Sequence, residues 1–143
     1  MASVSTYLNF SDQTEEAFTF YRSVFGGEFQ GGISRFGDAP PQEGMPSLAE
    51  EDMQLVMNVQ LPIMGGHLLM GSDSPPSMGM PVKVGNNYHI TLSPDSREEV
   101  DRLFHALSDG GKVTMELQDT FWGAYFAMCT DKYGVQWMFN HDS

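Results

Sequence analysis

The chain of 143 residues has a single cysteine, Cys129. One thiol excludes an intrachain disulfide and a cysteine-based metal site. Cys129 lies in an apolar, alternating run, where a buried inert thiol is expected rather than a nucleophile. Positive charge is also scarce: 7 Lys and Arg stand against 19 Asp and Glu, a net charge of −12. No basic stripe or cluster occurs, so phosphate backbones and anionic membrane surfaces are repelled, and neither nucleic acid nor membrane is an expected partner. No apolar run approaches the roughly 20 residues of a membrane span. The opening MASVSTYLNF has no basic segment leading into a long apolar one, so a secretory leader is not expected and the cytoplasm is the expected location.

Hydrophobic residues make up 41% of the chain, which is a globular rather than a disordered composition. The length suits one domain with a real core. Within it the chain reads as built twice. A strand over residues 5–10 leads into an amphipathic helix with Asp12 as its cap and Glu15 completing a capping box. Ala17, Phe18, Tyr21, Val24 and Phe25 follow helical spacing, and Gly26 and Gly27 end the helix. The second copy opens with a strand over 88–93. Asp95 or Ser96 caps the next helix, Val100, Leu103, Phe104 and Leu107 share one face, and Gly110 and Gly111 end it. Strands are expected at 28–36, 53–61 and 67–71 in the first half, and at 112–117, 123–130 and 135–140 in the second.

The order is therefore βαβββ twice, an α+β fold, with module one at about 1–72 and module two at about 88–143. A polar, proline-bearing loop at 37–52 and a connector at 72–87 are too irregular for regular elements. Loops of that length are expected to cover something, here the rim of a ligand cleft.

The segments YLNF…EEAFTFYRSVFGGE, NYHITL and GGKVTMELQDTFWG…TDKYGVQWMF span most of the chain. Together they closely resemble the PhnB-like branch of the vicinal oxygen chelate superfamily, which contains glyoxalase I, bleomycin-resistance proteins and extradiol dioxygenases. The resemblance implies two βαβββ modules in one domain, forming a curled eight-stranded cleft with helices on the outer face, and a homodimer. In metal-dependent members four cleft residues, one each from the first and last strands of both modules, are His, Glu or Gln. The corresponding places here are Thr6, Met70, His89 and Met138. A thioether is a poor ligand for hard or borderline divalent ions, and three protein ligands are the usual minimum for a catalytic site. No metal and no other cofactor is therefore expected. Some PhnB-like proteins are named ubiquinone-pathway methyltransferases, but this chain has no glycine-rich loop between a strand and a helix to hold such a cofactor.

Under that resemblance the cleft is lined by Thr6, Leu8, Leu68, Met70, His89, Thr91, Gln136 and Met138, an apolar and pliable surface in which methionine adapts to varied ligands. The same methionines also suit an ordinary core. Gln136, Thr91 and Asn140 can orient a ligand by hydrogen bonds. Trp122 and Tyr125, with Phe121, lie where a loop enters a strand, at a cleft edge or in a core or dimer contact. Arg35 pairs either with a ligand carboxylate or with a surface partner. His89 is the best candidate for a catalytic group, since an imidazole accepts, donates or shuttles a proton near neutrality. A hydrogen-bonded strand histidine is the other reading of it. His67, His105 and His141 are expected at a strand end, on the polar side of the second helix and in the tail.

Three functions follow. The first is a metal-independent protein that binds an apolar or aromatic small molecule, as bleomycin-resistance proteins do. The second is a metal-dependent or histidine-assisted lyase, isomerase or dioxygenase of the same superfamily. The third is a protein-interaction module.

Overall fold

The computed structural model describes residues 2–38, 49–78 and 81–142. Backbone contacts divide the chain into two units, Met1–Lys83 and Val84–Ser143. Among the described residues each unit carries one α-helix and four strands. In the first, β1 (Thr6–Phe10), α1 (Thr14–Phe25), β2 (Ser34–Arg35), β3 (Val56–Pro62) and β4 (Leu68–Asp73) follow one another, and the sheet order is β1-β4-β3-β2. In the second, β5 (Ile90–Leu92), α2 (Arg97–Ser108), β6 (Lys112–Asp119), β7 (Ala124–Thr130) and β8 (Gln136–Asp142) give the order β5-β8-β7-β6. The first strand of each unit runs parallel to the last, and the remaining pairs are antiparallel. The expected βαβββ repeat is thus present, as two separate four-stranded sheets.

Each helix buries one stripe. Thr14, Ala17, Phe18, Tyr21 and Val24 are the buried face of α1, and Val100, Leu103, Phe104 and Leu107 that of α2. The register of unit one follows from a close approach. A Cβ on Gly71 would stand 2.6 Å from the Phe18 ring, so only glycine lets α1 settle this near β4. Gly71 pairs with Leu8 and with Val59, and Leu61 pairs with Leu69, so these residues share the helix side. In unit two Phe104 of α2 meets Phe139 edge to face at 5.6 Å. Phe139 pairs with Leu92 and Ala127, and Trp137 with Ile90 and Cys129, which makes that row the helix side of the second sheet.

Two buried carboxylates hold the units together internally. Asp73, 4% exposed, accepts from Thr14 N and Thr14 Oγ1 on one oxygen and from Val56 N on the other. It joins β4 to the start of α1 and to β3. Asp131, 3% exposed, accepts from Tyr133 N, Val135 N and the Trp137 indole N–H, and so sets the β7–β8 turn against the core. Gly134 closes that turn at φ 89°.

Several expectations are corrected. The helix α1 has Gln13 at its N-cap with no side-chain cap, and the acceptor expected from Asp12 is Asp73 instead, reached from 59 positions away. In α2, by contrast, the cap is Ser96, one of the two residues expected, whose hydroxyl accepts from Glu99 N at 3.2 Å. The strand expected at 28–36 is reduced to Ser34–Arg35, because Gly31 and Gly32 stand at φ 74° and 71° and turn the chain out of extended geometry. The strand expected from 53 begins at Val56, after a 3-10 turn at Glu50–Gln54. In the proline-bearing loop, residues 39–48 lie outside the described residues.

Replacing Asp73 by Ala strands three donors, two of them buried backbone N–H groups, and is expected to cost about 3 kcal/mol or more in urea unfolding. Asp12→Ala should cost less than about 0.5 kcal/mol. Equal losses in the two variants would contradict this account. Cys129 is fully buried, and burial with the nearby Asp131 carboxylate pushes its thiol up to about 12. It should therefore resist a disulfide reagent at neutral pH in the native protein and react at once in denaturant.

Candidate functional site

The faces away from the helices carry the candidate sites, and strand pairing lays out their residues row by row. On the second sheet, Met115 of β6 stands opposite Met128 of β7, Met128 opposite Met138 of β8, and Met138 opposite Thr91 of β5. One row therefore crosses all four strands with three thioethers and a hydroxyl. Thr91 Oγ1 donates to Met138 Sδ at 3.6 Å. The next row holds Gln118, Phe126 and Asn140. On the other side of the methionines, Thr130 pairs with Gln136, and Thr130 Oγ1 donates to Gln136 Oε1 at 3.0 Å. That bond takes the carbonyl of the Gln136 amide and leaves its NH₂ turned away from Thr130. The backbone N–H of Gln136 donates to Tyr88 Oη at 3.3 Å. Burial pushes the Tyr88 hydroxyl above its ordinary range.

The β6–β7 hairpin supplies the rim. Trp122 is 58% exposed and meets Phe126 edge-on at 5.9 Å, while Phe121 is 97% exposed and packs against Trp122 at 5.0 Å. Thr120 holds the hairpin by accepting from Ala124 N and donating to Ala124 O. In the first unit the outward face carries Tyr7, Met70 and Gln60 in one row, with Leu68 next along β4.

Met70, Leu68, Thr91, Gln136, Met138 and Asn140 thus lie on outward faces. His89 immediately precedes β5 and is half-buried. Thr6, Leu8 and Tyr125 are corrected. Thr6 pairs with Leu69 on the helix side, where its hydroxyl meets His67 Nε2 at 2.8 Å. Leu8 is core, opposite Gly71. Thr6 and Met70 therefore lie on opposite faces of one sheet. Tyr125 pairs with His141 on the helix side, and its hydroxyl donates to Asp101 Oδ1 of α2 at 2.5 Å. That hydrogen bond, aided by burial, pushes the phenol up. Arg97 stacks on the Tyr125 ring at 3.9 Å and reaches Asp119 at 2.6 and 3.2 Å, holding the Asp119 carboxyl below its usual range. Arg35 pairs with Glu15 and with the Gln54 carbonyl. His105 is an exposed helix residue beside Phe104, and His141 Nδ1 lies 2.9 Å from Pro94 O.

Tyr7, Met115, Met128 and Phe126 share these outward faces and were not among the expected cleft residues. For Met128 and Phe126 the signal was present: Ala127 and Cys129, both small, alternate with them and mark the helix side of β7. Among the described residues no three His, Cys, Asp or Glu side chains gather in a way that could hold a metal ion. No helix among them is long and apolar enough to cross a membrane.

Comparison with known proteins agrees with this architecture. Residues 4–139 match the model of the Glyoxalase/Bleomycin resistance protein/Dioxygenase superfamily. Protein YjdN of Escherichia coli K12 is 33% identical over 142 residues, which is 96% of this chain and 93% of YjdN. The crystal structure of protein PA1353 from Pseudomonas aeruginosa superposes with a TM-score of 0.85 at 36% identity, over 99% of this chain and 98% of that one. A PhnB protein from Bacillus cereus gives 0.75 at 26% identity, over 98% and 99%. By sequence and by fold, the chain belongs to the Glyoxalase/Bleomycin resistance protein/Dioxygenase superfamily.

Proposed function

We propose that this chain is a metal-independent small-molecule-binding protein of the glyoxalase/bleomycin-resistance type, taking an apolar or aromatic ligand. The outward face of the second sheet carries the reading. It combines a flexible methionine row with an aromatic rim at Phe126 and Trp122, and polar groups at Thr91, Gln136 and Asn140 flank it. An apolar surface with a few placed polar groups is what a small-molecule site requires. The four places at which the family resemblance puts metal ligands hold Thr6, Met70, His89 and Met138, of which one is an imidazole. Thr6 and Met70 also point to opposite sides of their sheet. A homodimer, which the resemblance implies, and the cytoplasmic location expected from the N-terminal composition belong to the same reading.

A thermal-shift screen of planar aromatic compounds in the presence of a chelator tests this directly. A compound at about 100 times its dissociation constant should raise stability by about 2.7 kcal/mol. Met138→Glu should lose that shift while keeping its unliganded melting temperature within a few degrees. Trp137 is fully buried and Trp122 is exposed, so a ligand that stacks at the rim should quench the tryptophan fluorescence of the wild type and not that of Trp122→Phe.

Calorimetric titration of the stripped protein with nickel, zinc, manganese and ferrous ions should give no stoichiometric binding. Tight binding of any of them would overturn the proposal in favour of a metal-dependent lyase, isomerase or dioxygenase.

A further inference from the structure

We propose that the methionine row of the second sheet is a thioether site for a soft monovalent cation, of the Cu(I) or Ag(I) class. The inference uses the same face as the aromatic-ligand reading but does not require it, and it concerns an ion that a divalent-metal titration does not probe.

The geometry comes from register alone. Met115 and Met138 flank Met128 on the two adjacent strands, each directly opposite it and on the same face. Residues so placed have Cβ atoms about 5 Å apart. Each methionine has three rotatable bonds, so the outer two can lean toward the central one and bring three sulfurs to one point. The β6–β7 pairing shifts register on both sides of Met115, so β6 is bulged where this side chain leaves it. Bulges of that kind re-aim a side chain. The Met138 sulfur accepts from Thr91 Oγ1 of β5, on the side of β8 away from Met128, so taking up the ion requires this side chain to turn back toward β7.

The chemistry selects the ion. Thioethers are soft, neutral donors that favour Cu(I)-like ions over hard or borderline divalent ones. Met115 is 36% exposed and Met128 and Met138 are half-buried, so the row is reachable from water. The net charge of −12 raises the local concentration of any cation. Cys129, the competing soft ligand, pairs with Trp137 on the helix side and is fully buried. Its thiol belongs to the opposite face of the sheet.

The test is titration of the folded protein with Ag(I), following the methionine methyl resonances by NMR, in a Cys129→Ala background checked for native fold by circular dichroism. The expected result is one equivalent bound, with shifts confined to the methyls of Met115, Met128 and Met138. Met128→Leu keeps the apolar volume and should weaken binding about tenfold or more, the scale on which metal sites respond to ligand-shell changes. Met53→Leu, at an exposed methionine of the first unit, should change nothing. Affinity should hold between about pH 7.5 and about pH 5, because a thioether has no proton to lose, whereas imidazole or thiolate sites weaken. Wild type should match the Cys129→Ala protein, which covers the case in which that variant fails to fold. No saturable binding, shifts spread over all methionines, unchanged affinity in Met128→Leu, or loss of affinity at low pH would each overturn the proposal.

Discussion

The carboxylate of Asp73 is the interaction on which the first unit depends. It sits at the end of β4, almost wholly out of water, and takes three donors from two other elements. A buried charge of this kind is tolerable only when its lone pairs are filled, and here they are filled by groups that would themselves be stranded without it. The start of α1, the start of β3 and the end of β4 are fixed at one point. Asp131 plays the matching part in the second unit, drawing two turn N–H groups and the Trp137 indole together. Hydrophobic burial drives both units to compact. The two carboxylates decide which arrangement of strand ends and turns the compact state adopts.

Much of this architecture was legible in the chain. Apolar spacing located both helices, and paired glycines marked their ends. The order βαβββ repeated was readable because each half alternates, coils and alternates again. The failures share a cause. Asp12 stands where a local cap belongs, yet its place is taken by an acceptor 59 residues away, and no local pattern reveals a partner at that separation. Residues 28–36 look extended until Gly31 and Gly32 adopt positive φ, which depends on the path the chain must take to reach β3.

The site was harder for a related reason. Alternation shows that a strand has two faces but does not label them. The label in β1 and β4 comes from Phe18 lying over Gly71, a tertiary contact, and it moves Thr6 and Leu8 to the helix side. Tyr125 misled because an aromatic residue next to a loop suits a rim, whereas its hydroxyl is held by Asp101 beneath Arg97. Met138, Thr91 and Gln136 could be placed on one face because they stand two residues apart or directly opposite one another. The partners that complete their rows, Met128 and Met115, need the register of the hairpin before they can be placed.

The polar contacts that hold the second unit lie at its turns and on its helix side: Asp131 beneath the β7–β8 turn, Ser96 at the helix start, and Arg97 clasping Tyr125 and Asp119. Among the described residues the outward faces of β5, β7 and β8 add side-chain contacts such as Thr130 with Gln136 and Thr91 with Met138, and the methionines and Phe126 there carry none of the anchoring carboxylates. Selection can therefore act on the two surfaces of the sheet separately. A handful of outward substitutions can re-specialise such a protein for a new compound while the framework beneath stays unchanged, so descendants of one ancestor can share a shape and have no ligand in common.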